Sequence, residues 1–303
     1  MKGAPLTRIA YYPGCSLHKM AKEYNKSTYK VSEALGLDLE ELSGWNCCGA
    51  MEVSAVNPLA GDGIVARNLA LTEKAGYDQV MAVCPACSHK LISVNHKMLQ
   101  SAQETTVINS LLDEPYTPGS VVPMHFLQVL RDKIGIERIK EMVQPGNPLE
   151  EKVGVSYYGC LCTRPGDIIQ FEDPNNPTFM DDLLRTVGAE VPNFPMKTKC
   201  CGATQLMINK PLVEKLTGKI LVNAHEVGAE FIVVACQLCA QALDGQQKQA
   251  INRVDGGKFK LPVLYISQVL GLAMGMKYRD LGLGSNFVSP KKMLKRKKSV
   301  GAK

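Results

Sequence analysis

The 303-residue sequence predicts an α/β protein made of two homologous, pseudo-symmetric Rossmann-like halves. Three observations predict it. Four landmarks recur in the same order at offsets of 140 to 153 residues. Short apolar runs of strand length alternate with helix-like stretches. And in each half an apolar run leads straight into a cysteine motif. One short word repeats by chance; four in register do not, so the repeat is read before anything else.

The landmarks run as follows. "AYYPGC" (10–15) matches "SYYGC" (156–160), aligning Cys15 with Cys160. "NCCGA" (46–50) matches "KCCGA" (199–203). "AGYDQVMAVCPAC" ends at Cys87 and "VGAEFIVVACQLC" at Cys239, with Gly76 and Gly228 each eight residues before the first cysteine of the pair. "VPMHFLQVL" (122–130) matches "PVLYISQVL" (262–270), placing Gln128 opposite Gln268 and His125 opposite Tyr265. The joint falls near "VQPGNPLEEK" (143–152), whose prolines, glycine and asparagine suit a linker. The expected organisation is a first domain over 1–147, a second over 148–290, and a basic tail over 291–303.

Each half reads alike. "TRIAYY" and "KVGVSYY" are short buried strands that run into the first cysteine. A helix follows, about 20–35 and about 178–187, with Gly36 and Gly188 where a C-terminal glycine would end it. A second strand leads to the double cysteine in each half. The helix after it carries Ile64, Ala66, Leu69 and Leu71 as its apolar spacing in the first copy. "DQVMAV" and "EFIVVA" are strands that stop at a CxxC. Strand, helix, strand, helix, strand points to a parallel sheet, and in such sheets ligands gather at the carboxyl ends of the strands.

Composition bounds the function. Apolar residues make up 45 % of the chain, ordinary for a globular protein. No apolar run reaches the roughly 18 residues that span a bilayer, and the start has no secretory layout. The expectation is a soluble cytoplasmic protein without a membrane span. Of 35 lysines and arginines, seven lie in "KKMLKRKKSVGAK" (291–303), which has no acid; the remaining 28 face 29 acids. The basicity is thus a property of the tail, read as a solvated end or as a docking arm for an acidic partner or a membrane surface. No basic stripe interleaved with aromatics runs through the body, so no nucleic-acid partner is expected.

Eleven cysteines remain to be explained. In a reducing compartment they would serve metal or redox chemistry. Each half supplies five in the repeat: Cys15, Cys47, Cys48, Cys84 and Cys87, then Cys160, Cys200, Cys201, Cys236 and Cys239. A structural zinc or a cubane cluster takes four ligands, and five in both copies fit neither well. Neighbouring side chains diverge, so Cys47–Cys48 and Cys200–Cys201 grip one small ion poorly but suit two irons of a larger cluster. The glycine behind them lets backbone approach inorganic sulfide and donate N–H bonds. A zinc knuckle, a dithiol and plain buried thiols are the alternatives to an iron–sulfur site.

These motifs resemble the cysteine-rich CCG domain, and the chain outside the tail resembles the B subunit of the heterodisulfide reductases. The resemblance implies that each motif binds an unusual noncubane [4Fe-4S] cluster through its five cysteines, two clusters in all. In the methane-producing members a disulfide of coenzymes M and B is thought to enter between the two clusters, each handling one sulfur and one electron. Those members are expected to carry a histidine after the cysteine matching Cys160; here Leu161 follows it, then the eleventh cysteine, Cys162. The departure favours the bacterial heterodisulfide reductase-like sulfur-oxidising system, with a lipoate-binding sulfur carrier protein as partner. The B subunit of the coenzyme B–coenzyme M heterodisulfide reductase proper, and an electron-relay protein with no substrate of its own, are the alternatives. The sequence has no flavin or dinucleotide fingerprint and no closely spaced ferredoxin run. By resemblance electrons pass through a ferredoxin-like C subunit linked to a flavin-bearing A subunit.

Among other residues, Cys162 is read as a small side chain behind the cluster, or as a thiol that holds sulfur, relays a proton or adds a ligand. His18 and His89, near Cys15 and Cys87, are candidate proton donors, or plain polar groups beside the site. His125 and Tyr265 are read as packing positions, Lys199 as a charge beside the double cysteine, and Trp45 as core.

Overall fold

The first strand shows how the sequence places the site. In β1 (Thr7–Tyr11) the residues Ile9, Ala10 and Tyr11 are buried, and the chain leaves its carboxyl end through Pro13 and Gly14 into Cys15. The structure is a computed structural model and describes residues 7–295. It divides into two compact units, Met1–Ile136 with Cys160–Pro177, and Glu137–Gly159 with Thr178–Lys303.

In the first unit, β1 is followed by α1 (Gly14–Lys19) and α2 (Lys22–Leu35). Buried Tyr24, Ser27, Thr28, Val31, Ser32 and Leu35 recur at helical spacing on α2. Gly36, at φ 89°, ends it as expected. Strand β2 (Leu37–Glu41) leads towards the double cysteine, and α3 (Glu52–Val56) and α4 (Pro58–Lys74) follow. Asn57 caps α4 by accepting from the Ala60 N–H at 3.0 Å, and Pro58 occupies the first turn, where its missing donor costs nothing. The buried face of α4 runs through Gly61, Val65, Ala66, Asn68, Leu69 and Thr72. Ile64 and Leu71, expected on that face, are only partly covered, because polar Asn68 and Thr72 take core positions by bonding to backbone carbonyls. Strand β3 (Gln79–Ala82) stops two residues before Cys84; α5 (Pro85–Gln100), α6 (Ala102–Asn109), β4 (Val122–His125) and α7 (Phe126–Val129) complete the unit. All pairings are parallel, in the order β2-β1-β3-β4. His125 is buried, as expected of a packing position. Its Nδ1 accepts from the Leu127 N–H, and its own N–H donates to Gln128 Oε1 at 2.7 Å.

After α8 (Ile136–Met142), strand β5 (Gly154–Tyr157) opens the second half. The stretch beyond it, 160–177 with the short α9 (Gly166–Ile169), groups with the first unit. There the Ile169 carbonyl accepts from Gln128 Nε2 at 3.2 Å, and the Arg131 guanidinium lies 4.6 Å from the Phe171 ring centre.

The second unit repeats the first with one omission. It holds α10 (Phe179–Thr186), α11 (Lys210–Glu226), β6 (Phe231–Val234), α12 (Gln237–Gly245), α13 (Gln247–Arg253), β7 (Val263–Tyr265) and α14 (Ile266–Ala273). Like α4, α11 has 17 residues and an asparagine cap, Asn209, accepting from Leu212 N–H. The parallel sheet runs β5-β6-β7. Gln268 accepts from the Tyr265 N–H at 3.0 Å, repeating the His125–Gln128 bond. The second strand expected before the double cysteine is absent among the described residues; a single parallel bridge, Val153 to Glu190, stands in its place. The segment after it contains Pro192 and Pro195, which cannot donate to a ladder.

Of the tail expected over 291–303, only 291–295 is described; the rest lies outside the described residues. Among the described residues no helix is long and apolar enough to cross a membrane.

Candidate functional site

Three features bring the cysteines of the first unit together. Cys15 lies in the first turn of α1. Cys84 is the N-cap of α5, and Cys87 sits in its first turn. Cys47 and Cys48 lie on the loop after β2. Cys15 and Cys47 Sγ are 3.7 Å apart, and Cys48 and Cys87 Sγ are 3.5 Å apart. Metal–sulfur bonds of about 2.3 Å in a tetrahedron put two sulfurs about 3.8 Å apart, so each pair has the span of two thiolates on one metal atom. Cys48, Cys84 and Cys87 are buried, while Cys15 and Cys47 are exposed.

The second unit repeats the arrangement. Cys236 caps α12 and Cys239 lies in its first turn; Cys201 and Cys239 Sγ are 3.6 Å apart. Cys200 is exposed, and Cys201, Cys236 and Cys239 are buried. Cys160, half-covered, comes directly after Gly159 and begins the segment grouped with the first unit. Among the described residues no three thiol, imidazole or carboxylate groups converge as a single metal ion would need; the sulfurs approach in pairs.

The glycine before the first cysteine is required twice over. Gly14 has φ +69°, and a Cβ there would stand 2.8 Å from Cys87 Sγ. Gly159 has φ +72°, and its Cβ would stand 3.0 Å from Cys239 Sγ. Both positions favour a residue without a side chain, and both leave the sulfur's approach clear. The glycine behind the double cysteine differs from expectation in what surrounds it. A Cβ on Gly49 would meet Val53 and Ile64 at 2.8 Å, so the missing side chain makes room for neighbouring side chains. Its N–H donates to Cys47 Sγ at 3.4 Å, and Gly202 N–H to Cys200 Sγ at 3.3 Å.

Two tyrosines hold the double-cysteine loops. Tyr12 O–H donates to the Asn46 carbonyl at 2.7 Å, and Tyr157 O–H to the Lys199 carbonyl at 2.5 Å. In each half the acceptor is the residue just before the pair. Burial and the surrounding sulfurs push the Tyr12 phenol far above its ordinary range, so it stays a donor. The signal for both tyrosines was present in the repeated "YY" beside each first cysteine.

The thiols share protons. Hydrogen bonding with Cys87 lowers Cys48 to about 7, with Ala50 N–H and the Lys90 charge helping. Cys87, bonded to Cys48 and Cys84 and deeply buried, rises well above its ordinary value. Hydrogen bonding between Cys201 and Cys239 lowers the first thiol and raises the second. Burial and Cys47 push Cys15 up to about 11. Paired thiols of this kind release their protons when metal binds.

The remaining candidates are scattered around these sets. His18 Nε2 meets Glu41 Oε1 at 3.1 Å, and its ring lies 5.5 Å from that of Trp45. His89 is half-buried, its Nδ1 has no partner among the described residues, and burial lowers its pKa. Cys162 is buried, at 3 % exposure. Lys199 is exposed. Trp45, expected in the core, is instead half-covered: its Nε1 donates to Glu41 Oε1 at 3.1 Å and its ring stands edge-on to Tyr12 at 5.5 Å. An indole N–H needs a polar partner, which the sheet edge supplies. A feature that spacing did not reveal is the buried Lys197–Asp181 pair, 2.5 Å apart, with Ser156 O–H also on Asp181. The Lys197 carbonyl accepts from Tyr158 and Gly159 N–H.

Comparison with known proteins agrees with the repeat. The family model of the cysteine-rich domain CCG matches residues 9–92 and again 155–244. The 8-methylmenaquinol:fumarate reductase membrane anchor subunit of Wolinella succinogenes is 32% identical over 287 residues, 94% of this chain and 98% of that protein. The B subunit of the ferredoxin/F(420)H(2)-dependent CoB-CoM heterodisulfide reductase of Methanosarcina acetivorans is 27% identical over 288 residues, 93% of this chain and 94% of that one. In fold, the chain is similar to the crystal structure of a hypothetical protein from Helicobacter pylori, with TM-score 0.69 and 16% identity; the match covers 94% of this chain and 52% of that one, so this chain spans about half its length. The duplicated match, on the same segments that carry the paired sulfurs, establishes that the chain belongs to the cysteine-rich CCG domain family and is a homologue of the heterodisulfide reductase B subunit.

Proposed function

We propose that this chain is the iron–sulfur subunit of a heterodisulfide reductase-type complex, binding two [4Fe-4S] clusters of noncubane type. The first would be held by Cys15, Cys47, Cys48, Cys84 and Cys87, the second by Cys160, Cys200, Cys201, Cys236 and Cys239. The observation that carries this reading is the convergence of sulfurs at 3.5 to 3.7 Å in both units, on equivalent positions. The residues fit the group: soft thiolates in excess of four, and glycines whose missing Cβ atoms face Cys87 and Cys239. Bound there, the clusters would supply one-electron transfer at sulfur. The chain's own part is to fix the geometry. Tyr12 and Tyr157 pin the loops, and Gly49 and Gly202 donate N–H bonds to sulfur.

The substrate on this reading is a disulfide or a sulfur-loaded carrier thiol. Leu161 stands where a proton-donating histidine is expected in the methanogenic enzymes, and Cys162 is close by in sequence, which favours a lipoate-bound sulfur carrier in a sulfur-oxidising complex. Cys162, His18 and His89 would be its proton- or sulfur-handling groups. A ferredoxin-like C subunit, together with a flavin-bearing A subunit, would bring or remove electrons, in the cytoplasm.

A second reading has its own support. The 32% identical relative carries the name of a quinol:fumarate reductase subunit, so the chain could serve such an assembly as an electron relay with no substrate of its own. One experiment decides between them. The anaerobically purified chain is analysed for iron and sulfide, reduced, and mixed with lipoamide disulfide or the coenzyme M–coenzyme B heterodisulfide while its paramagnetic resonance spectrum is followed. Close to eight irons per chain and a disulfide-dependent change of spectrum are expected. A fully loaded protein blind to both disulfides would leave the relay, and a folded protein without iron would overturn both readings.

A further inference from the structure

A groove in the second unit lies outside the cysteine sites. Two adjoining cavities, about 590 and 930 Å³, share a wall made by Phe259, Lys260, Phe287 and Val288. Either is large enough to hold a few side chains. Phe287 stands 78 % exposed on that wall, and Phe259 stacks on His225 with ring centres 4.1 Å apart.

The charge around this wall that is left without an ion-pair partner among the described residues is positive. Lys248 and Lys258 line the smaller cavity, Lys292 and Lys295 the larger, and Lys260 both. None of the five makes an ion pair with a described residue. The two carboxylates in the lining are already engaged. Asp244 accepts from the N–H groups of Phe287 and Val288 at 2.7 and 2.9 Å. Glu230 accepts from Val153 N–H at 3.1 Å and faces Lys152 at 3.5 Å. That distance is long for an ion pair, and Lys152 is only 6 % exposed. A cation buried in the wall with a shared, distant partner gains from an anion in front of it.

We propose that this groove docks an acidic segment of a partner protein, one that carries a large apolar side chain among its carboxylates. Unpaired lysines around an aromatic wall complement that chemistry: the apolar residue covers Phe287 and Phe259, and the acids meet the rim. The chain's own residues 296–303 do not suit the groove, because their sequence is basic. A bilayer is a poorer occupant. The lysines line concave walls, and among the described residues near the groove only Phe287 is a large, strongly exposed apolar side chain, whereas interfacial binding draws on a broad apolar face.

The test uses the full-length chain and a fluorescein-labelled peptide of glutamates around one leucine, read by fluorescence anisotropy. Saturable binding that weakens with salt is expected. Lys260→Glu with Lys292→Glu should raise Kd about tenfold or more, and Phe287→Ala several-fold with the salt dependence kept. Lys248→Glu with Lys258→Glu provides an independent pair should the first disturb folding, which circular dichroism checks. The assignment is overturned if the peptide does not bind at millimolar concentration, or if both lysine pairs leave Kd unchanged. It is equally overturned if binding is lost only on removal of 296–303, or if phosphatidylserine vesicles bind in the peptide's place.

Discussion

Replacing Gly14 by alanine tests the close approach of backbone to a sulfur in the first site. Two costs add at that position. The backbone, at φ +69°, sits where an L-residue loses about 1–2 kcal/mol. The new Cβ would also stand 2.8 Å from Cys87 Sγ, which must move, and such overpacking costs a further ~1–3 kcal/mol. Gly76 separates the two costs, because it has φ +78° with nothing within 4 Å of a built Cβ. Gly76→Ala should therefore cost about 1 kcal/mol, offset in part by a stiffer unfolded chain. Gly14→Ala should cost about 2–5 kcal/mol in total, with the same partial offset. For a unit of this size each kcal/mol moves Tm by roughly 2–4 °C. The assay is thermal unfolding of both variants with iron counted per chain. On the two-cluster reading proposed above, Gly76→Ala should keep its iron, while Gly14→Ala, with Cys87 displaced, should lose about half of it, the first site's share. Equal Tm losses and full iron in both variants would refute the reasoning, since the sulfur contact would then carry no weight.

Three more outcomes are expected. Tyr157→Phe should destabilise more than Tyr12→Phe: among the described residues the Lys199 carbonyl has Tyr157 as its hydrogen-bond donor, whereas the Asn46 carbonyl also accepts from Asn68 Nδ2 at 3.0 Å. About 1–3 against about 0.5–1.5 kcal/mol is the difference to seek by denaturant titration. Lys197→Met leaves Asp181 buried without its cation and should cost about 3–5 kcal/mol, much of it recovered by adding Asp181→Leu; a cheap single variant would show the pair to be solvated. Arg8 and Tyr77 hold the Glu40 carboxyl at about 2, against an ordinary 4.5. The folded form thus binds that proton less tightly than the unfolded form. Its contribution is complete above about pH 4.5 and is lost as pH falls towards 2, so Glu40→Gln should flatten that part of the Tm-against-pH curve, and high salt should weaken the effect.

Much of this protein is local and was therefore readable. Strands β1, β3, β5 and β6 announce themselves as apolar runs ending at cysteines, and α2 as a helix closed by Gly36. The double match to one domain family follows from the same repeated words. Trp45 and the α4 face were misread for one reason: an indole N–H, an asparagine and a threonine settle where hydrogen-bond partners are found, which apolar spacing does not report.

By itself the sequence determined the duplication, the parallel strands and which ten thiols belong to the repeat, because these rest on periodicity and on neighbours along the chain. Only the tertiary structure decided that Cys48 faces Cys87 while its neighbour Cys47 faces Cys15. It also decided that, among the described residues, the second half has a single bridge in place of a strand before its double cysteine, and that 160–177 groups with the first unit. The physical reason is common to all three. Side-chain direction and long-range hydrogen bonds are set by what the chain meets after folding, across 30 or more residues; the missing strand alone leaves a local trace, in Pro192 and Pro195.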